Sequence, residues 1–302
     1  MEATSRWALV TAIAPVAWGS NYFVTHQYLP ADSPLYGAAI RALPAGLLLL
    51  LVRRTLPRGS WWWKSLVLGV LNVGAFFALI YVAAQLLPTS VAATIMATSP
   101  VVMMLIAWAA VAERPRVAQL TGAGVGIAGV GLMVLDGGAA VNAGGVLASV
   151  AAMTMSSLGY VLAKKWSADV DVFSLTSWQL IAGGLALLPF AVAVEGAPPT
   201  VDAPAVLGFA YVTVVATAVA FAAWFTGLRH LSAGTVGLVG LLNPITGVLL
   251  GAAVAGESLG MPQILGIALV FVGILLGQPI LRPFLRRVRR RAAGPAAGQP
   301  AR

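Results

Sequence analysis

The sequence predicts an all-α membrane protein of ten transmembrane helices, arranged as two inverted five-helix repeats with both termini cytoplasmic. Three observations lead there. Of 302 residues, 60% are hydrophobic and 9% charged, against roughly 45–50% and about 25% in an ordinary soluble domain. The basic residues sort to one side of the apolar runs. The chain also aligns with itself at one fixed offset.

A helix needs about 20 apolar residues to cross the hydrocarbon core. Runs of that kind fall at about 7–29, 35–52, 63–86, 89–111, 117–135, 144–163, 172–194, 204–228, 232–255 and 262–281. They are continuous and rich in Ala, Leu and Gly, unlike the short alternating segments of an outer-membrane barrel. The first run follows Arg6 and contains Ala12-Ile13-Ala14, which resembles a signal peptide with its cleavage site. Pro15 follows that site and the apolar run continues, so the segment is read as a retained span. The one charged residue in the interior of a span is Arg41, in the second run.

Charge orients the spans. With the amino terminus inside, 17 of the 18 Lys and Arg residues fall in inner loops or the tail, and Arg41 is the other. The positive-inside rule then places both termini in the cytoplasm of an inner or plasma membrane. The formal charge of +9 is thus a topology signal, and no nucleic-acid partner is expected. Residues 282–302 form a basic tail ending in Ala, Gly and Pro, expected to be disordered near anionic lipid headgroups. With no Cys and two His, neither disulfides nor a metal site is expected, and no cofactor is implied.

Shifting the chain by 144 residues aligns Ser99-Pro100 with Asn243-Pro244, Glu113 with Glu257, Gln119 with Gln263, Gly122 with Gly266 and Gly129 with Gly273. Pro, Glu and Gln are scarce here, so their coincidence at one offset marks a repeat. Upstream the register loosens, pairing Gly19 with Gly159 and Arg41 with Gln179. The halves are residues 1–140 and 141–281. Five helices is an odd number, so the second half enters the membrane inverted, an arrangement that recurs in secondary transporters.

Individual residues sharpen this. Pro100 and Pro244 interrupt their spans, crowding the carbonyls of Met96 and Gly240, so they mark broken or hinge helices. Thr98, Ser99 and Asn243 beside them are cavity candidates. In the first span Trp18, Asn21, Tyr22 and Thr25 share one broad face, and a polar face of a membrane helix looks inward. Tyr81, Tyr160 and Trp224 join the same candidate set. Arg41 requires compensation at that depth and is read as structural or anion-compensating. His26 is the candidate for coupling to an ion. The run Gly122, Gly124, Gly126, Gly129, Gly131 is a packing or dimerisation surface, leaving monomer and homodimer both open. Trp61, Trp62 and Trp63 beside Lys64 form an interfacial anchor.

The segment Trp18-Gly19-Ser20-Asn21-Tyr22, Arg41, and the paired stretches Leu-Pro…Ser-Pro…Glu-Arg and Leu-Ser…Asn-Pro…Gly-Glu resemble the EamA family of the drug/metabolite transporter superfamily over nearly the whole chain. The resemblance implies a central cavity lined by spans 1, 3, 4, 6, 8 and 9, and export of amino acids or similar small metabolites from bacteria. It also places an Arg at the position of Arg41 whatever the solute. Efflux of amphiphilic drugs is the alternative. An integral-membrane enzyme would need a metal-binding carboxylate pair, a His-Glu-x-x-His helix or a Ser with a base, and the sequence offers none of these; Asp169 and Asp171 beside Lys164 and Lys165 read as solvated charge.

Overall fold

The computed structural model describes residues 2–30, 32–87, 89–134, 142–255 and 259–278, which are helical apart from short turns and contain no strand. In order, the helices are α1 (Glu2–Tyr28), α2 (Pro34–Arg53), α3 (Trp61–Gly69), α4 (Ala75–Leu86), α5 (Thr89–Ala97), α6 (Ser99–Val111), α7 (Val117–Val134), α8 (Ala143–Trp166), α9 (Val172–Glu195), α10 (Ala203–Thr213), α11 (Ala220–His230), α12 (Ala233–Gly240), α13 (Leu242–Ala255) and α14 (Met261–Gly277). Two π-turns, π1 (Val70–Gly74) and π2 (Val214–Val219), join α3 to α4 and α10 to α11. Seven described helical runs are long and apolar enough to cross a membrane, and Val117–Met133 and Met261–Gly277 are shorter apolar helices. The basic tail and Glu257 lie outside the described residues.

Two spans expected to be plain helices, 63–86 and 204–228, therefore carry π-turns. Val70 and Val214 stand 144 positions apart, the offset of the sequence repeat. A π-turn accommodates one extra residue and leaves a carbonyl outside the regular i→i−4 ladder. At π1 the Ala75 amide reaches Val70 O. At π2 the Thr217 hydroxyl donates to Val212 O at 2.7 Å.

The two proline positions also differ from expectation. Rather than kinking a continuous helix, Pro100 stands in the first turn of α6 and Pro244 is the third residue of α13. A proline in the first turn loses no intrahelical bond. The interruptions themselves fall at Thr98 and Leu241, whose amides reach back only three residues, to Ile95 O and Leu238 O.

Glycine lets two helix pairs approach backbone to backbone. Along the crossing of α7 and α14, a Cβ on Gly122 or Gly273 would collide with the other's carbonyl, and one on Gly129 would lie 2.7 Å from Gly266 O. The glycine run predicted to be a packing surface is thus occupied within the chain. Gly69 of α3 and Gly183 of α9 meet in the same manner. Helix α2 lies along α9, where Ser177 donates to Gly46 O at 2.9 Å.

Charged side chains tie the helix ends. At the end carrying the basic loops, Arg53 pairs with Asp171 at 3.0 Å, and Lys64 lies over Trp61, Trp63 and Trp166. At the other end both oxygens of Glu195 accept the opening amides of α2, Leu35 N at 2.6 Å and Tyr36 N at 2.8 Å. A carboxylate there satisfies orphan donors and meets the positive helix terminus.

Two outcomes follow from these contacts. Gly129→Leu forces α7 from α14 and lowers the thermal unfolding midpoint in detergent, while Gly124→Ala, with nothing within 4 Å of its Cβ position, leaves it unchanged. Asp171 caps α9 through the Ser174 amide. Partial burial pushes its pKa up, but hydrogen bonds from Ser174 and the Arg53 guanidinium outweigh that and hold it below its ordinary 3.8. A depressed folded-state pKa means the stabilisation is complete above the unfolded value and is lost as pH falls through the folded one. Protection of the amides in the first turn of α9, measured against their intrinsic exchange rate, should therefore fall below about pH 4 in the wild type and stay level in Asp171→Asn.

Candidate functional site

The centre of the bundle is organised by Arg41 on α2. Its side chain is buried and donates three hydrogen bonds: Nε to Thr217 Oγ1 at 2.8 Å, Nη2 to Ala216 O at 2.9 Å and Nη1 to Asn21 Oδ1 at 3.0 Å. The guanidinium carbon also lies 5.5 Å from the centre of the Phe77 ring. Two of the three acceptors belong to π2. A buried cation in a bilayer needs dipoles or a counter-ion around it, and here a π-turn carbonyl, a hydroxyl and an amide supply them. All three of these bonds are to neutral acceptors of the bundle, and Asn21, expected to line the cavity, is one of them.

The same place in the other half holds neutral groups. Gln179, aligned with Arg41 in the repeat, accepts a hydrogen bond from Asn72 Nδ2 of π1 at 2.8 Å. Both side chains are 0% exposed, and Asn72 Oδ1 and Gln179 Nε2 have no partner. Each π-turn is thus held by a polar side chain from a helix of the opposite half, by a cation in one case and an amide in the other.

Beside Arg41's partners lies an aromatic cluster. Trp18 of α1 stands 5.2 Å from Trp224 of α11, ring centre to ring centre, and Tyr160 of α8 stands 5.4 Å from Trp224. Phe221 and Phe225 complete the group through Trp18 and Tyr160. Tilted and edge-on rings at these separations are the favourable aromatic geometry. Three residues singled out in the sequence, separated by 64 or more positions, therefore converge. The Trp224 Nε1 donor and the Asn243 Oδ1 acceptor are buried without partners. Gly240, three residues before Asn243, faces the Trp224 ring, and Gly19, next to Trp18, faces the Asn243 carbonyl. The interruption at Leu241 thus borders the cluster.

The remaining candidates spread out. Thr98 donates to Ile95 O at 2.7 Å and contacts Met153 Sδ at 3.0 Å. Ser99 opens α6 half-buried, and Tyr81 packs against the main core. Pro100 lies against Gly237 of α12. The side chains of Tyr22 and His26 lie outside the described residues. A separate cavity of about 410 Å³ lies at one end of the bundle, between Gln27–Pro30 and Thr200–Asp202, and Trp18, Tyr160 and Trp224 do not line it. Among the described residues no group of three or more His, Cys, Asp or Glu could hold a metal.

Family comparison fits this architecture. The EamA-like transporter family matches residues 5–135 and again 143–277. The chain belongs to the EamA family of the drug/metabolite transporter superfamily. Protein PecM of Dickeya dadantii is 36% identical over 269 residues, covering 88% of this chain and 90% of that protein. The uncharacterized transporter YvbV of Bacillus subtilis is 28% identical over 280 residues, with 90% and 91% covered. The uncharacterized inner membrane transporter YedA of Escherichia coli K12 is 24% identical over 266 residues, with 86% and 87% covered. A solved protein crystal structure superposes with a TM-score of 0.79 at 18% identity, over 93% of this chain and 99% of that one, which shows a shared fold. This EamA-family chain is a multi-pass membrane transporter.

Sequence reasoning missed the π-turns and the partners of Arg41. For Arg41 the available signal was the looser upstream register of the repeat, which pairs it with Gln179. Arg41→Met should lower stability by about 2 kcal/mol, the cost of leaving the Ala216 carbonyl unpaired. Arg41→Lys should recover only part of it, because a point ammonium cannot reproduce the guanidinium fork. Unfolding of both variants in the same detergent checks this.

Proposed function

We propose that this EamA-family transporter moves small neutral or zwitterionic metabolites, amino acids foremost, out across a bacterial inner membrane by alternating access. The chain crosses ten times with both termini cytoplasmic, and residues 1–140 and 141–281 form the inverted halves. The packing supports this reading, because its main helix pairings recur when the halves are exchanged. Helices that correspond in the repeat lie side by side: α2 with α9 and α7 with α14. Likewise α1 lies along α11, and its counterpart α8 along α4.

The observation that carries the solute site is the convergence of Trp18, Tyr160 and Trp224 from three helices, beside the unpaired Trp224 Nε1 and Asn243 Oδ1. One free donor and one free acceptor against aromatic walls suit a compact solute carrying both kinds of polar group. An anion would need a free cation. Arg41, the cation of that region, already has three acceptors, so phosphate esters fit poorly.

The test is counterflow in proteoliposomes with pooled labelled amino acids. Trp18→Ala, Tyr160→Ala and Trp224→Ala should each reduce it by about tenfold, from loss of one aromatic contact surface, while the protein still reaches the membrane. Unchanged counterflow in all three would remove the site. Wild-type protein that counterflows no amino acid but does counterflow a labelled amphiphilic drug would reassign the solute.

A further inference from the structure

The end of the bundle that carries the basic loops is closed by a compact network. Glu113, just past the end of α6, pairs through Oε1 with Lys164 Nζ of α8 at 2.5 Å. Its Oε2 accepts the Ala233 amide, the first of α12, at 2.8 Å. Lys164 Nζ in turn donates to Leu231 O, the residue after α11, at 2.6 Å. Gln119 of α7 adds bonds to Ser232 Oγ at 3.1 Å and Thr235 Oγ1 at 3.2 Å. The loop between α11 and α12 is therefore pinned through its first carbonyl, its Ser232 side chain and the opening amide of the next helix. Two of the pinning residues, Glu113 and Gln119, belong to the first half of the chain.

Burial follows the pinning. From Ala233 to Val239 every residue of α12 is buried, and so is most of α11. The segments that correspond at the repeat offset, α4 and α5, are half-exposed over most of their length. One hairpin is sealed between the halves and its counterpart is not. Val236 and Gly237 form the buried step between the pinned loop and the Trp224 cluster, with Gly237 against Pro100.

We propose that Glu113 and Lys164 are the latch of an inner gate, which holds the α11–α12 hairpin against the first half and must part before the aromatic cluster opens to the cytoplasmic side. The proposal rests on the reading of the chain as an alternating-access transporter. The geometry makes it more than an ion pair. Glu113 is an acceptor for a helix amide and Lys164 a donor to a carbonyl, so each charge holds the hairpin as well as its partner. The side chains are 28% and 18% exposed, enough for water to reach them when the contact breaks. An exposed pair is worth little, whereas this one is coupled to two backbone groups that lose their partners if it parts.

The chain contains no Cys, which makes single-cysteine accessibility direct. Full-length Val236→Cys and Leu180→Cys proteins are reconstituted, and labelling by an impermeant maleimide from the cytoplasmic side is timed. Leu180 is fully buried on α9 and reports general loosening. Glu113→Gln or Lys164→Met should speed labelling at Val236→Cys about tenfold and leave Leu180→Cys protected. The exchange Glu113→Lys with Lys164→Glu should not restore protection, because a lysine at 113 cannot accept the Ala233 amide. Unchanged labelling at position 236, an equal rise at position 180, or full protection by the charge exchange would each overturn the latch. Because this readout needs no solute, a wild type that carries no labelled amino acid would defeat the solute assignment and leave the latch result standing.

Discussion

An ionised guanidinium within the membrane cannot be left to chance, and the middle of this bundle is built around Arg41. Isolated in hydrocarbon it would cost several kcal/mol. No carboxylate pairs with it among the described residues, and oriented dipoles surround it instead: the Ala216 carbonyl, the Thr217 hydroxyl and the Asn21 amide oxygen. The π-turn makes that solution available. A regular helix would have committed its carbonyls to its own amides, whereas the bulge leaves one for an outside donor. Cation and bulge therefore need each other, and together they fix α1 and α2 against π2. Two members of the aromatic cluster sit on chain tied to the arginine, Trp18 on α1 and Trp224 on α11 just after π2, so their placement is linked to it.

Two kinds of helix contact surround that centre. Where α7 meets α14 and α3 meets α9, backbones touch at glycine, so main-chain atoms set the closest approach. Where the loop between α11 and α12 meets the ends of α6, α7 and α8, polar contacts are made by the ends of Glu113, Gln119 and Lys164. Contacts of the first kind tolerate little change in distance, and those of the second break one hydrogen bond at a time. A bundle that combines them has fixed crossings at glycine and releasable ones at its charged end.

Composition and periodicity were enough to read the helical membrane class, because the shortage of charge has no other physical outlet. Trp18, Tyr160 and Trp224 were selected together because aromatic and polar groups on apolar helices face inward, and they do meet. The π-turns were illegible: Val70–Gly74 and Val214–Val219 are ordinary apolar sequence, and an inserted residue leaves no compositional mark. Asn21 was assigned to solute because an amide serves a ligand and a guanidinium equally well, and the choice depends on a helix packed alongside rather than on spacing within α1. The cap of α2 by Glu195 comes from 160 residues away, beyond the reach of any local pattern. A proline inside an apolar run reads as a break, and Pro100 and Pro244 each stand near the start of the next helix segment.

The arginine has an electrical consequence as well. It is the one charge in the interior of the apolar runs, about 10 Å along α2 from its first residue. Moving an elementary charge through the whole membrane potential is worth about 2.3 kcal/mol per 100 mV. Because Arg41 is bonded to helices on both sides of it, it travels only as far as they tilt, which for a tenth of the field is about 0.2 kcal/mol per 100 mV. That is below thermal energy. Within the apolar runs, the voltage across the membrane therefore has little fixed charge to pull on.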